Sequence, residues 1–383
     1  MKTRSTWQLT IAATAAASVL LTACGSDSSD DESGSGGGSG GTGVDVAAAE
    51  ESIEALTKPP TEFPITEPLS KRPEPGTTVA FLDIGTPVTA QAYAYLAEAA
   101  EVAGVELQRV QTGQTPQAIN AAMNSLVESK PDAIIDIAID PALFTPQLEA
   151  LQEAGTVFIP TALVGADKFG FNDEQIFSGE EGSRAYGAAV TSGLLAETNG
   201  EATDLVIYQV PEVPFTPFVV EGAQQVLDEQ CPDCELRVVD ISIGEIGSTA
   251  ARTIVSDLQA HPETEAIIAS MDELQIGLPQ AMDVAGMDIP AMGNSGSPVN
   301  FQQIADGQQL GTLASDIHMV TWVAMDQALR GLAGEEHDYR FLSQLDASFV
   351  QIVTEDNLPA DMSVGYVAFD DYKEQFAKLW TGQ

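Results

Sequence analysis

The chain has 383 residues, 44% of them hydrophobic and 6% aromatic, which is enough apolar material for about two lobes and too much for a disordered chain. Against 57 Asp+Glu there are only 15 Lys+Arg, and the net charge of −42 repels phosphates, so nucleic acid and adhesion to anionic lipid through basic patches are disfavoured. Three Cys and three His leave little for a zinc or Cys-His catalytic site.

Residues 1–24 read as an export signal. Lys2 and Arg4 form a charged start, and the Ala-rich apolar stretch from Leu9 to Leu21 is shorter than the ~20 residues a spanning helix needs. It ends in Leu21-Thr22-Ala23-Cys24, which resembles a bacterial lipobox with Cys24 as the lipid-accepting residue; the alternative is a generic secretory signal with an incidental cysteine. Residues 25–43, rich in Gly, Ser and Asp, form a flexible tether that would let an anchored domain clear the membrane.

Residues 44–76 divide into one short helix, with Ala, Glu, Ile and Leu at helical spacing to Thr57, and an extended arm. Pro59, Pro60, Pro64, Pro68, Pro73 and Pro75 keep that arm out of a helix. A βα rhythm then begins. Strands are expected at 78–82, 105–110, 133–139 and 156–159, and helices at about 89–103, 116–129 and 147–154. After Gly182 the pattern restarts, with helices at about 183–198, 219–229, 249–260 and 274–285 and strands at 204–209, 236–241, 266–269 and 289–292. A long helix at about 318–332 precedes an irregular end. Short apolar strands alternating with helices imply α/β architecture: two doubly wound lobes of parallel sheet, with ligands bound outside the strands' carboxyl ends.

Cys231 and Cys234 lie in Cys-Pro-Asp-Cys. In a cytosolic chain this spacing would suggest redox or metal work; in an exported one it staples a turn as a disulfide, and no second Cys pair or His cluster supplies zinc's remaining ligands. Most of the acid excess reads as a solvated surface suited to high salt. Calcium is the sharper alternative, but no Asp-x-Asp-x-Asp-Gly loop is present.

The segment Ala260-His261-Pro262 through Ala266-Ile267-Ile268-Ala269-Ser270-Met271-Asp272 to Gly277 resembles a stretch of the sugar-type (ribose-binding-like, type 1) periplasmic binding proteins of ABC importers, where a His-Pro turn and a buried strand lead to an Asn-Asp pair and an apolar helix. The likeness covers roughly Thr77 to Gly334. Phe177-Ser178-Gly179, Glu221-Gly222 and Gly293-Asn294-Ser295-Gly296 add to it. It implies an N-terminal lobe of 77–177 plus about 316–345, a C-terminal lobe of 178–315 plus about 346–383, three crossings, and a cleft between the lobes. It also implies ligand-binding positions at Thr86, Val88, Asp140, Thr161, Ala162, Leu163, Phe215, Phe218, Met271, Ser295 and Ser315, with Thr89, Val219, Asp83 and Asp316 as further candidates.

This chain departs from the family pattern at several of these positions. Met271 replaces the Asn of the Asn-Asp pair, Ser295 the Asp of Phe-Asp-Gly, and Phe215, Phe218 and Val219 stand where an Arg is usual. A buried hydroxyl without a partner costs about 1–3 kcal/mol, so a sugar rich in hydroxyls would lose much of its affinity here. A weakly polar or aromatic solute fits the lining better. The bland alternative is that Met271 and Val219 are ordinary core and that a sugar is bound by other residues of these loops.

The lipobox, the composition and the resemblance together imply a monomeric, lipid-anchored extracytoplasmic receptor that hands a small molecule to ABC permease subunits, with no cofactor, metal, nucleic acid or catalysis. A sensor presenting a ligand to a membrane receptor is the second reading. An enzyme is the third, without a Gly-x-Ser-x-Gly elbow, Walker loop or metal motif to support it. Gly104, Gly155 and Gly286 are expected to end helices, Ser178 to Gly182 to form a hinge, and His261 and His318 to sit at turns or helix ends.

Overall fold

The computed structural model describes residues 43–382. The export signal, the lipobox with Cys24 and all of the tether except Gly43 lie outside the described residues.

Local signals set most boundaries. Thr86 and Thr115 cap the helices that follow them through side-chain oxygens, and a proline occupies the first position of each, where a missing N–H costs nothing. These helices are α2 (Pro87–Ala103) and α3 (Pro116–Ser129); Gly104, at φ 74°, ends the first in the left-handed conformation that favours glycine. Apolar strands β1 (Thr78–Asp83), β3 (Ala133–Ile137) and β4 (Val157–Thr161) pair in parallel, with the more exposed β2 (Glu106–Gln111) at the edge, in the order β2-β1-β3-β4. The helix α4 (Thr145–Glu153) joins α3 on one face of this sheet; α2 and α10 (Ile317–Ala333) cover the other.

The second sheet has six strands in the order β10-β9-β8-β7-β5-β6: β5 (Asp204–Gln209), β6 (Glu235–Asp240), β7 (Ala266–Ala269), β8 (Ala291–Asn294), β9 (Gly311–Ser315) and β10 (Val350–Thr354). All pairs are parallel except β9 with β10. One face is covered by α5 (Glu180–Glu197) and α6 (Thr216–Gln230), the other by α7 (Ala250–Ala260) and α8 (Leu278–Ala285), while α9 (Pro298–Ala305) packs near the β9/β10 edge. Helices α5 and α6 touch backbone to backbone. A Cβ on Gly187 would run into the Val219 carbonyl, and one on Gly222 into that of Arg184. At the far end of α6, Cys231 and Cys234 are joined as a disulfide with Cα atoms 5.4 Å apart.

The irregular end expected after the long helix is in fact ordered. It supplies β10 and a terminal helix, α11 (Tyr372–Thr381). The sequence reading assigned everything beyond about 346 to the second lobe, but α11 lies against α2 and α10, where Trp380 stacks on Trp322 with ring centres 5.4 Å apart. Its apolar side chains Tyr372, Phe376, Leu379 and Trp380 are what the first lobe covers. The expected helix from 274 is split by Gly277 (φ 79°) into a short turn and α8, and α9 and β9 were not anticipated.

The N-terminal arm touches both lobes. The first helix, α1 (Val46–Ile53), packs on α5 and α6; the Asp45 N–H donates to the Gln230 carbonyl at 2.7 Å, and Asn357 donates to the carbonyl of Thr57 at 3.3 Å. The proline-rich stretch then reaches α10 and α11. Phe63 meets Phe369 and Phe376 edge-on, the Leu69 N–H donates to the Leu379 carbonyl, and Arg330 donates to the carbonyl of Glu67. Arg330 is itself held by the fully buried Asp326, which also accepts from Tyr339 and Trp380. A buried carboxylate requires such partners, and here they secure the arm, α10, α11 and the segment after α10 at Tyr339 to one another.

Candidate functional site

The chain leaves β4 at its carboxyl end and enters α5 through residues 162–179; it leaves β9 at its carboxyl end and enters α10 through Asp316. Three of the four passages between the lobes after β1 lie at carboxyl edges, because the return from α10 enters β10 at Val350, opposite Ser315 at the end of β9, and only the last, from β10 to α11, starts at the other end. Those edges therefore face one another across the cleft where doubly wound sheets bind ligands.

On the first lobe, Thr86 caps α2, and Val88, in its first turn, is 41% exposed. Asp140 is exposed and caps the turn at Pro141–Leu143 by accepting from the Ala142 N–H at 2.8 Å. The Thr161 hydroxyl donates to the Asp136 carbonyl at 3.0 Å, and Ala162 takes a positive φ of 52° as its N–H meets the Phe177 carbonyl. Asp136 is itself buried: loss of water raises its pKa well above the usual carboxylate range, and the charge of Asp140 adds to the rise.

Four expectations need correction. Leu163 does not line the cleft; it is buried in a small cluster with Ala166 and Ile176. Asp83 is saturated: its carboxylate accepts from Gly85 N–H, the Thr89 hydroxyl, Arg109 and Gln111. Burial alone would raise its pKa, but these donors and the Arg109 charge hold it below the usual value. Thr89 is likewise spent on Asp83. Asp316 is saturated too, accepting from the Met319 and Ala368 N–H groups and lying 3.2 Å from His318 Nδ1. Both carboxylates shape the loops and leave nothing for a solute.

On the second lobe, Met271 is partly buried against the α7/α8 core, Ser295 sits at φ 69° in the turn after β8, and the buried Ser315 hydroxyl has no hydrogen-bond partner. Phe215 immediately precedes α6 and packs partly into the core, whereas Val219 is fully buried. Phe218 is covered by a residue that sequence reasoning missed: the Arg184 guanidinium lies 4.6 Å above its ring, held by Glu221 at 2.8 Å. An arginine therefore does stand beside this helix start, but it comes from α5. No motif could reveal that, because only the close α5/α6 packing brings the two together. The four edge positions Thr86, Val88, Asp140 and Ala162 on one side and Phe215, Met271, Ser295 and Ser315 on the other remain as the candidate lining.

A surface cavity of about 740 Å³ lies elsewhere, between α10 and residues 335–340. Its two arginines are already paired, Arg330 with Asp326 and Arg340 with Asp338. Among the described residues no group of His, Cys, Asp and Glu could hold a metal ion, and no helix is long and apolar enough to cross a membrane.

Two doubly wound lobes facing each other across strand carboxyl edges define a two-lobed binding protein. A model of the periplasmic binding protein domain matches residues 78–336, and the chain belongs to that family. The ribose import binding protein RbsB of Bacillus subtilis (strain 168) is 21% identical over 233 residues, which are 59% of this chain and 74% of that protein. Among solved structures, the 5-methylthioribose transporter solute binding protein of Thermotoga lettingae TMO, in complex with 5-methylthioribose, superposes with a TM-score of 0.65 at 16% identity, covering 82% of this chain and 99% of that one. An ABC transporter periplasmic solute binding protein from Actinobacillus succinogenes 130z with bound D-allose gives 0.61 at 20% identity, covering 74% and 98%. At these identities the structural likeness speaks for the fold.

Proposed function

We propose that the protein is a lipid-anchored extracytoplasmic receptor that captures a neutral ring solute with an apolar body and few polar groups, and delivers it to an ABC permease without making or breaking a bond. Family membership supports capture, and Leu21 to Cys24 supports the anchor. The observation that carries the ligand class is the consumption of four polar edge residues. Asp83, Asp316, Thr89 and Thr161 are spent on internal hydrogen bonds, while Val88, Ala162, Phe215 and Met271 are apolar. A solute whose hydroxyls surround its ring would leave several of them unpaired, whereas 5-methylthioribose, the ligand of the Thermotoga lettingae protein, joins a small polar ring to an apolar thioether.

Calorimetry with 5-methylthioribose, ribose, D-allose and D-arabinose tests this reading. The thioether sugar is expected to bind at least tenfold tighter than the others, and a monosaccharide bound at micromolar or tighter affinity would refute the ligand class. Cys24→Ser should release the protein from membranes; unchanged fractionation would refute the anchor.

A further inference from the structure

The arm before residue 78 and the chain beyond residue 336 lie outside the matched family domain, and each crosses from the second lobe to the first. On the second lobe the arm is fastened from its start. The Asp45 N–H donates to the Gln230 carbonyl beside the disulfide turn, Ala49 and Ile53 of α1 are buried on α5 and α6, and the turn at Glu54–Thr57 lies against β10 with Leu56 buried. On the first lobe it is fastened again from Phe63 to Ser70. Ile65 is buried, the Leu69 N–H donates to the Leu379 carbonyl at 2.9 Å, and the Ser70 N–H donates to the Glu335 carboxylate at 2.7 Å.

The arm and the C-terminal crossing are clipped together at both ends. Asn357 donates to the Thr57 carbonyl just after β10, and Phe63 meets Phe369 edge-on just before α11. Between these clips the C-terminal chain runs from 357 to 369 and the arm only from 57 to 63, half as many residue steps. A step spans at most about 3.6 Å, so the arm reaches about 22 Å at full extension and its companion about twice that. Any motion that separates the clips therefore draws the arm taut first. The link itself holds no coil to pay out: Lys58, Pro59, Thr61 and Glu62 are exposed, Lys58 bonds only back to Glu54 within the arm, and two consecutive prolines keep the backbone extended.

We infer that the N-terminal arm is a brace that limits how far the two lobes part. Within the reach of the 57–63 link the lobes move freely; beyond it, either α1 or the Phe63–Ser70 stretch must come off its lobe. That release adds to the cost of wide opening, so the brace shifts the population toward the narrow cleft. The inference rests on the two-lobed frame and not on the ligand class proposed above, and its test needs no ligand.

The test uses the full chain carrying spin labels at Glu128→Cys on α3 and Val284→Cys on α8, both exposed positions, one on each lobe. Pulsed electron-resonance distances between them are compared for the wild-type arm, for an arm lengthened by Gly-Ser-Gly-Ser-Gly-Ser between Pro60 and Thr61, and for Phe63→Ala. Doubling a short link changes loop-closure entropy little and leaves both ends attached. The lengthened arm is expected to gain a longer-distance population that the wild type lacks, while the Asp45 and Leu69 amides keep their hydrogen-exchange protection. Phe63→Ala is expected to gain the same population by the other route, with exchange at Leu69 at least tenfold faster. A wild type that already populates the longer distance, or identical distributions in all three chains, would overturn the brace.

Discussion

Asp272 offers the sharpest energetic test of the second lobe. It is fully buried, and its carboxylate accepts from the amides of Gln275 at 2.5 Å and Gln309 at 3.0 Å and from the Thr312 hydroxyl. Burial pushes its pKa up to about 7 from 3.8; the Thr312, Gln275 and Gln309 donors oppose that rise without cancelling it, and the charge of Glu273 adds to it. A carboxyl whose pKa is raised on folding favours the protonated native state. Its stabilising contribution is complete below the unfolded value near 4, falls as pH rises, and is gone above about 7. A shift from 3.8 to about 7 corresponds to roughly 4 kcal/mol at about 1.4 kcal/mol per unit.

Urea midpoints from pH 4 to 8 in molar NaCl, where surface repulsion is screened, should therefore decline across that window. Asp272→Asn imitates the neutral acid: its carbonyl can take both glutamine amides, and its NH₂ can face Thr312. The variant should show a shallower decline than wild type, the remainder coming from Asp136 and Glu273, whose burial also raises them, and should be at least as stable as wild type at pH 8. Carboxyls held below their usual range, such as Asp83 and Glu265, act with the opposite sign but only at more acidic pH. A variant with the full wild-type slope, or a wild type that gains stability from pH 4 to 7, would refute the reasoning.

Two substitutions probe the packing. Phe63→Ala removes a ring lying 5.3 and 5.1 Å from Phe369 and Phe376, and should cost about 2–4 kcal/mol in urea unfolding; a loss under 0.5 kcal/mol would mean the arm is not anchored there. Gly222→Ala drives a methyl into the Arg184 carbonyl and should cost about 3 kcal/mol or more, measured the same way; wild-type stability would show that α5 and α6 can separate freely.

The βα rhythm was legible because its signals are local: apolar strand runs, proline at helix starts, and glycine at ends such as Gly104 and Gly286, both of which end helices at positive φ. The α11 signal was also present, with Tyr372, Phe376, Leu379 and Trp380 on one helical face, but nothing local says that such a face returns to the first lobe. The site was less legible for a related reason. Asp83 looks like a free carboxylate until Arg109 and Gln111, on the neighbouring strand, register beside it. Arg184 looks like surface charge until Gly187 and Gly222 bring α5 onto α6. Sequence gives a residue's chemistry; strand register and helix approach decide whether that chemistry is already spent.

The same distinction bears on what lies outside the matched 78–336. Residues 43–77 and 337–382 pack on each other as well as on the lobes: Phe63 on Phe369 and Phe376, Leu69 on Leu379, Thr57 on Asn357. Helix α1 is held by the second lobe, and the stretch from Phe63 to Ser70 by α10, α11 and Glu335. Any motion that parts the two sheets must therefore stretch or slide the segment between Thr57 and Phe63, which contains Pro59 and Pro60. Proline already holds a chain extended, so this link has little slack to give. Opening wide enough to strain it requires release of α1 or of the Phe63 contacts, and the energy of those contacts then enters the cost of opening.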